Sequence, residues 1–297
     1  MNFGAWYAHI TRRVDLHIRD RVQTIIQGLH PSAFRGRGDD FEFLQHYTLG
    51  EDITHIDWKA SERLEDGFLV RRRREERVLE IWIVADLSAS IFTGFSPQGC
   101  KQRLLLDIMA VVGRSVLQQQ DLLGFISFDH TVRTVLTPFR SEKTFINLLK
   151  MIWDFQPTSS KLTSLLPALQ YFETHAGTWQ QKRRMILVLS DFETQEDWIP
   201  TVQRLGATQA IFPVFLEESI PETLLSSVGL LTYRDVETGA HETVDPRAWL
   251  SLLNNQKRRD REHLLSQFDA SNIEFLFVSR ETFFIDILTR FLEKQYF

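Results

Sequence analysis

The sequence predicts an α/β fold with a doubly wound, mostly parallel sheet. Nearly continuous apolar runs recur at residues 79–85 and 185–189, and stretches in which apolar residues follow helical spacing lie between them. A continuous apolar run is typical of a strand buried on both faces of a parallel sheet, and strands that alternate with helices place helices on both of those faces. Ligands of such sheets bind beyond the carboxyl ends of the strands, so we expect the functional residues there.

An N-terminal helix and a β-rich segment with many turns are expected before the first long strand. Apolar residues within 14–29 follow helical spacing from Ile18 onward, and glycines divide residues 34–61 into short runs. The arginine-rich run 71–77 is interpreted as an extended strand with solvated faces that leads into Leu79–Asp86, because acidic residues interrupt its basic charge. A basic edge also protects a strand from pairing with other chains.

The chain is divided into an N-terminal segment, residues 1–78, and a second domain, residues 79–297, in which strands and helices alternate. The predicted strands after Leu79–Asp86 cover residues 122–128, 131–136, 185–189, 209–216 and 273–278. The predicted helices of this domain cover residues 102–117, 145–153, 165–172 and 282–292. Asp129 and His130 are placed in a turn, and residues 226–245 are expected to form a β-rich excursion.

Three polar side chains at alternate positions close the first apolar run. Asp86, Ser88 and Ser90 offer one carboxylate and two hydroxyls at the carboxyl end of the predicted strand. Hard oxygen ligands of this kind suit Mg²⁺ or Mn²⁺, whereas zinc prefers nitrogen and sulfur. The alternative is an Asp-Ser turn whose side chains only cap the loop, since both residue types are common in turns.

Two later segments carry residues of the same kind. The run 185–189 also ends in a hydroxyl and a carboxylate, those of Ser190 and Asp191. Between the two strands, Thr163 lies in a hydroxyl-rich loop near the start of an apolar helix, where its side chain either caps the helix or faces a ligand.

This order of residues resembles the metal-ion-dependent adhesion site of von Willebrand factor A domains, which have a Rossmann-type sheet. By this resemblance, the residues that bind Mg²⁺ or Mn²⁺ directly or through water are Asp86, Ser88, Ser90, Thr163 and Asp191. The chain departs from the family pattern at Ser164, where Asp or Asn is common, and at Phe192, where Gly is common.

Residues 34–61 resemble the signature of the DUF58 family, a family of unknown function whose members carry a von Willebrand A-like domain. The family pattern is Gly-x-Gly-x-Glu-Phe, then Tyr-x-x-Gly-Asp, then Ile-Asp-Trp-Lys. The matching residues are Gly36, Gly38, Phe41, Tyr47, Gly50, Asp52, Ile56, Asp57, Trp58 and Lys59. The chain departs from the pattern with Asp40 in place of Glu and with Glu51 before Asp52. Because several motifs follow each other in the family's order, the chain is identified as a member.

Two interpretations of this signature are open. In the first, the Asp57 carboxylate bonds backbone amides and the indole of Trp58 is buried, so that the pair pins a turn. In the second, Asp52, Asp57 and Arg63 form part of a partner-binding surface beside the metal site.

The family resemblance also implies a partner. DUF58 proteins are associated with MoxR-type AAA+ ATPases, so the chain is expected to act as an adaptor that holds a client protein for such an ATPase. An Asp or Glu of the partner would complete the coordination of the cation through a charge-assisted contact. The predicted function is therefore that of a non-enzymatic, metal-dependent protein-binding adaptor.

Two other functions are carried as alternatives, a metal-dependent hydrolase that uses Asp86 and a structural scaffold without a metal. Ser88 stands where an Asp-nucleophile phosphatase needs its second acid, no Gly-x-Ser-x-Gly motif occurs, and the histidines are scattered. These observations favour the adaptor over an enzyme.

Composition is that of a soluble globular protein from a reducing compartment. Of the 297 residues, 43% are hydrophobic and 25% are charged, and the formal net charge of -5 gives no argument for nucleic acid as a partner. Cys100 is the single cysteine, which excludes an intramolecular disulfide, and no apolar stretch is long enough to span a bilayer. We therefore expect a cytoplasmic protein.

Overall fold

In this computed structural model the described residues are 2–13, 41–47, 56–62, 67–73, 78–92, 101–157, 162–175, 184–194, 196–218, 231–234, 241–271 and 273–279. The helices and strands in chain order are α1 (Phe3–Arg13), β1 (Phe41–His46), α2 (Trp58–Ser61), β2 (Leu69–Arg73), β3 (Glu80–Asp86), α3 (Ala89–Phe92), α4 (Lys101–Gln118), β4 (Leu122–Phe128), β5 (Val132–Phe139), α5 (Glu142–Asp154), α6 (Leu166–His175), β6 (Arg184–Ser190), α7 (Ile199–Gly206), β7 (Ala210–Glu217), β8 (Leu231–Arg234), β9 (His241–Val244), α8 (Pro246–Ser271) and β10 (Leu276–Ser279).

The central sheet has six strands in the order β10-β7-β6-β3-β4-β5. Strands β3, β4, β6, β7 and β10 pair in parallel, and β5 pairs antiparallel with β4 at one edge. The predicted mostly parallel sheet is therefore confirmed. After β3 the chain first adds β4 on one side and later β6 on the other. In an open α/β sheet such a reversal leaves a crevice at the carboxyl ends of the strands, where ligands bind.

Helices cover both faces of this sheet, which makes it doubly wound. Ile81 and Ile83 of β3 belong to one core together with residues of α1, α4 and α5, whereas Trp82 and Val84 belong to a second core with residues of α6, α7 and α8. Successive side chains of a strand point to opposite faces, so a strand covered on both faces buries apolar residues at every position. The continuous apolar run of β3 follows from this arrangement.

Most of the predicted elements are present, with shifts at their ends. β4 has its predicted bounds, α4 extends the predicted helix at both ends, and β8 and β9 make the predicted excursion β-rich. The last predicted strand, 273–278, begins later, at Leu276. The predicted helices within 14–29 and over 282–292 lie outside the described residues.

Three helices after residue 78 were not predicted, the four-residue helix α3 and the longer helices α7 and α8. The 26-residue helix α8 is rich in charged and amide side chains, so its apolar spacing is weak, although Phe268 is completely buried in the second core. Within the described part of the chain, no helix combines the length and the apolar character that a membrane crossing requires.

The N-terminal helix α1 lies earlier in the chain than the stretch in which a helix was predicted, and it packs against α4. Trp6 is completely buried, and its Nε1 donates a hydrogen bond of 2.7 Å to Oδ1 of Asp107. The guanidinium of Arg103 lies 4.9 Å from the ring centre of Trp6 and 5.1 Å from that of Trp153, within the range of a cation–π contact. A helix of the N-terminal segment thus completes the core of the second domain, and the boundary at residue 78 stays a prediction.

The N-terminal segment, residues 1–78, contributes a separate antiparallel pair of strands, β1 and β2. β2 contains the first arginines of the run 71–77, so this part of the run is a strand as predicted, while residues 74–77 lie outside the described residues. The backbone N–H of Asp57 donates to the carbonyl of Leu69 at 2.8 Å, which attaches the start of α2 to β2.

Gly124 on β4 lies against the indole of Trp82 on the neighbouring strand. A Cβ at residue 124 would lie 2.4 Å from Cδ2 of Trp82, and this indole is completely buried with its edge against Phe172. We expect Gly124→Ala to lower the free energy of unfolding by roughly 1–3 kcal/mol, the usual cost of overpacking a core, in urea denaturation. Gly206→Ala is the matched control, because a Cβ there meets Ile211 at an ordinary 3.7 Å. Equal stability of the two variants would contradict this packing argument.

Candidate functional site

The candidate site is centred on Asp86, the last residue of β3. β3 pairs in parallel with β6, which ends at Ser190, so the two strand ends lie side by side. The Asp86 side chain is completely buried; its Oδ2 accepts a hydrogen bond of 2.5 Å from Oγ of Ser190, and its Oδ1 accepts one of 2.8 Å from the backbone N–H of Ser88. The carboxylate is therefore held in one orientation from two sides.

The hydroxyls of Ser88 and Ser90 lie next to this carboxylate in the chain. Their Oγ atoms are 3.0 Å apart, Ser88 is buried and Ser90 is partly exposed. The backbone N–H of Leu87 donates to the carbonyl of Phe128 at 2.7 Å, which ties this loop to the end of β4. The loop thus presents two hydroxyl oxygens together at the carboxyl-terminal edge of the sheet.

The pKa of Asp86 is raised to about 7, first by burial of the carboxyl group and second by the negative charge of Asp191. The hydrogen bonds from Ser190 and Ser88 act in the opposite direction and lower the pKa, but they do not outweigh the burial. The site therefore holds a carboxylate whose ionised form is destabilised until a positive charge approaches it.

Asp191 is held by a lysine that the sequence analysis did not single out. Nζ of Lys101, the first residue of α4, lies 2.7 Å from Oδ2 of Asp191 and 3.4 Å from Oε1 of Glu193. Burial lowers the pKa of the Lys101 ammonium, but the charges of the two carboxylates and their hydrogen bonds outweigh this effect, so its pKa lies above the ordinary value. The ammonium therefore carries its charge inside the site.

Thr163 is buried in the loop before α6, and the loop that follows β6 holds it in place. Its carbonyl accepts a hydrogen bond of 2.9 Å from Oγ1 of Thr194. The next residue, Ser164, donates its hydroxyl to Oε1 of Glu196 at 2.5 Å and its backbone N–H to the carbonyl of Asp129 at 2.9 Å. The Thr163 loop is thus tied to the ends of both β4 and β6.

Glu196 is a second residue that the sequence analysis missed. Its Oε2 accepts hydrogen bonds from the backbone N–H groups of Leu165 and Leu166, at 3.0 and 3.2 Å. A carboxylate thus lies beside residue 164 although the chain has Ser there. The sequence carried no local signal for this contact, since Glu196 and Ser164 are separated by 32 positions.

All of the predicted metal ligands lie at the carboxyl-terminal edge of the sheet. Direct contacts connect Asp86 to Ser190, the neighbour of Asp191, and Ser88 to Ser90, while Thr163 joins the group through Thr194. Among the described residues, no cluster of three or more His, Cys, Asp or Glu side chains is arranged to hold a metal. A cation at this edge would therefore depend on hydroxyl oxygens as well as carboxylates, a donor set that fits Mg²⁺ or Mn²⁺.

Of the residues predicted to bind a partner, Asp57 is described, while Asp52 and Arg63 lie outside the described residues. Asp57 caps α2: its Oδ1 accepts a hydrogen bond of 3.1 Å from the backbone N–H of Ala60. The expected burial of Trp58 is wrong, because the residue is 62% exposed. The centre of its ring lies 5.6 Å from the ring centre of Phe68, which is itself half exposed. Asp57 thus has the predicted turn-pinning role without a buried indole beside it.

A cleft of about 970 Å³ opens beside Asp191. Its lining includes the aromatic residues Phe192 and Trp198, which follow β6, and also Arg258 and Arg261 of α8. The cleft is large enough for a peptide segment or a small ligand, whose usual sites have volumes of roughly 300–1,000 Å³.

The raised pKa of Asp86 links the stability of the metal-free chain to pH. The folded chain keeps the proton up to about pH 7, whereas the unfolded chain loses it near 3.8, so the contribution of Asp86 to stability falls as the pH rises between these values. We expect Asp86→Asn to raise the free energy of unfolding at pH 8 in EDTA by roughly 1–3 kcal/mol. The difference from wild type should shrink toward pH 4 in urea denaturation. Parallel pH profiles of the two proteins would contradict the raised pKa.

Solved structures of similar shape come from several organisms. An aerotolerance-related membrane protein from Bacteroides fragilis has a TM-score of 0.48 at 13% identity, with 73% of this chain and 99% of that chain covered. BatB from Bacteroides thetaiotaomicron has a TM-score of 0.46 at 12% identity, with 73% of this chain and 98% of BatB covered. The SpRpn10 VWA domain has a TM-score of 0.37 at 15% identity, with 46% of this chain and 75% of that domain covered.

Relatives by sequence include uncharacterized protein Rv1480 of Mycobacterium tuberculosis and uncharacterized protein Mb1516 of Mycobacterium bovis. Each is 21% identical to this chain over 240 residues, which cover 79% of this chain and 73% of the relative. Residues 44–263, well over half of the chain, match the family described as protein of unknown function DUF58. The described part of that match includes the capped turn at Asp57 and the Asp86 site. The chain therefore belongs to the DUF58 family.

Proposed function

We propose that this protein is a non-enzymatic adaptor that binds a partner protein through a divalent cation held at the Asp86 site. The observation that supports this most directly is the buried Asp86 carboxylate, oriented by Ser190 and Ser88 at the reversal point of the sheet. Burying a carboxylate is costly unless a positive charge or hydrogen bonds compensate it. A chain that keeps such a group at a ligand-binding edge is suited to recruit a cation there.

The residues that would hold Mg²⁺ or Mn²⁺ are Asp86, Ser88, Ser90, Thr163 and Asp191. When bound, the cation would offer a coordination position to an Asp or Glu carboxylate of the partner, in a charge-assisted contact. The chain's own part is to keep the oxygens in place before the partner arrives. Glu196 does this for the Thr163 loop by accepting hydrogen bonds from three donors in residues 164–166.

The cleft beside Asp191 is where the partner segment next to that carboxylate would lie. Its lining combines the apolar rings of Phe192 and Trp198 with the cations of Arg258 and Arg261. Six acidic residues of the described chain line the cleft, so its lining does not fit the phosphates of a nucleic acid: Asp191, Glu193, Glu196, Asp197, Glu217 and Glu218. An extended peptide whose acidic residue reaches the cation and whose apolar residue lies against the aromatic side chains fits it better.

Membership in the DUF58 family supports a MoxR-type AAA+ ATPase as the partner system, with a client protein as the alternative donor of the carboxylate. The single cysteine suits a reducing compartment, so we place this interaction in the cytoplasm.

The central experiment compares Asp86→Asn with a matched change at the other end of the sheet. Asp121 is also buried, but it precedes β4, and its Oδ1 accepts a hydrogen bond of 2.9 Å from the backbone N–H of Leu79. We expect Asp86→Asn to weaken Mn²⁺ binding by roughly 10–100-fold, as the loss of a ligand charge does in metal sites, in titrations followed by electron paramagnetic resonance. Asp121→Asn should bind Mn²⁺ as wild type does.

The same proteins serve in capture experiments from native lysate with Mg²⁺ or with EDTA. Recovery of an AAA+ ATPase by wild type and Asp121→Asn in Mg²⁺, and its loss with Asp86→Asn or EDTA, is the expected pattern. Equal recovery in every condition would move the interface away from the Asp86 site. Folded wild type that binds no Mn²⁺ would favour the structural scaffold.

A further inference from the structure

Lys101 places a positive charge inside the site without any metal. Only 9% of its side chain is exposed, and its Nζ contacts Asp191 at 2.7 Å. Other cations of α4 are used elsewhere: Arg103 lies over the rings of Trp6 and Trp153, and Arg114 lies 3.3 Å from Glu142. The helix thus directs its first residue, and not these arginines, into the candidate metal site.

Asp191 is one of the predicted metal ligands, and both of its oxygens are engaged. Oδ2 accepts from Lys101, and Oδ1 accepts from the backbone N–H of Glu193 at 3.2 Å. A divalent cation that approaches Oδ2 meets the ammonium at hydrogen-bonding distance, and two like charges at such a separation repel each other strongly away from bulk water. The ammonium and a directly bound cation therefore exclude each other at this oxygen.

Glu193 offers the displaced ammonium a second position. Its Oε1 lies 3.4 Å from Nζ, and 56% of its side chain is exposed, whereas only 3% of the Asp191 side chain is exposed. Lys101, Asp191 and Glu193 all line the cleft. A lysine ammonium is a compact charge on a flexible stem, so a small rotation of the stem moves it from the inner carboxylate toward the outer one.

We propose that Lys101 is a built-in competitor of the divalent cation: it neutralises Asp191 in the metal-free chain, lowers the affinity of the site for metal, and shifts toward Glu193 when a cation binds. This inference rests on the proposed function, because it concerns the same metal site. Its consequence is a site that stays assembled without metal and is loaded only at high concentrations of the cation.

The test measures Mn²⁺ affinity by electron paramagnetic resonance for wild type, Lys101→Met and Arg114→Met. Methionine keeps the length of the lysine stem and removes the charge. Because the competing charge-assisted hydrogen bond is lost, we expect Lys101→Met to bind Mn²⁺ at least about tenfold more tightly. Arg114→Met removes the same charge from the other end of α4 and should stay within about twofold of wild type.

Thermal unfolding gives a second readout that does not depend on the affinity titration. In EDTA, Lys101→Met should unfold at a lower temperature than wild type, because Asp191 loses its counter-ion. Saturating Mn²⁺ should then raise the unfolding temperature of Lys101→Met by more than it raises that of wild type. Lys101→Gln serves in both experiments if the methionine variant does not fold.

The outcomes separate this inference from the proposed function. Equal affinity of wild type and Lys101→Met, or weaker binding by the variant, would overturn the role of Lys101 and leave the metal site in place. Binding by Lys101→Met alone would support the competition and overturn metal dependence in the natural chain. Absence of binding in both folded proteins would overturn both.

Discussion

The arrangement of this site depends on a carboxylate that is buried at the end of the central strand. Water cannot solvate Asp86 there, so the chain must supply each of its contacts, and it does so with the hydroxyl of Ser190 and the backbone N–H of Ser88. The contact with Ser190 requires that β3 and β6 are neighbours and end at the same level, which the register of Ala85 with Leu189 provides. The position of the site is therefore a consequence of the order of the strands. The remaining cost of burial, visible in a pKa raised to about 7, is of the kind that functional sites carry more often than structural cores do.

The loops around Asp86 stabilise one another and form a connected network. The loop after β6 reaches the Thr163 loop through Thr194 and Glu196, and the Thr163 loop reaches the end of β4 through Ser164 and Asp129. Because each loop is tied to a different strand end, the relative positions of the loops follow from the sheet. A ligand site built in this way is organised before its ligand arrives, which reduces the entropy that binding must otherwise remove.

The sequence allowed the central strands to be predicted because they are buried on both faces. In β3, β4 and β6, apolar residues occupy nearly every position, and no amphipathic surface strand has this pattern. Helix α8 escaped prediction because it is mostly polar, so that apolar residues such as the buried Phe268 do not stand out at helical spacing. Lys101 and Glu196 escaped it for another reason: their contacts join positions 90 and 32 residues apart, and a local pattern carries no trace of such pairs. Trp58 was wrongly placed because an aromatic residue in a conspicuous motif suggests a core, whereas its ring lies on the surface beside Phe68.

The contact of α1 with α4 sets an order of events during synthesis. Trp6 leaves the ribosome well before Asp107, which accepts its indole hydrogen bond and lies 101 residues further along the chain. Phe3 and Tyr7 pack against the same core, so they also reach their described partners only after α4 has been made. The aromatic side chains of α1 thus reach the core partners that the described residues show only after most of β3 and α4 has been made. The core of the sheet therefore closes only when α1 returns to it, and a contact between residues so far apart in the chain slows folding.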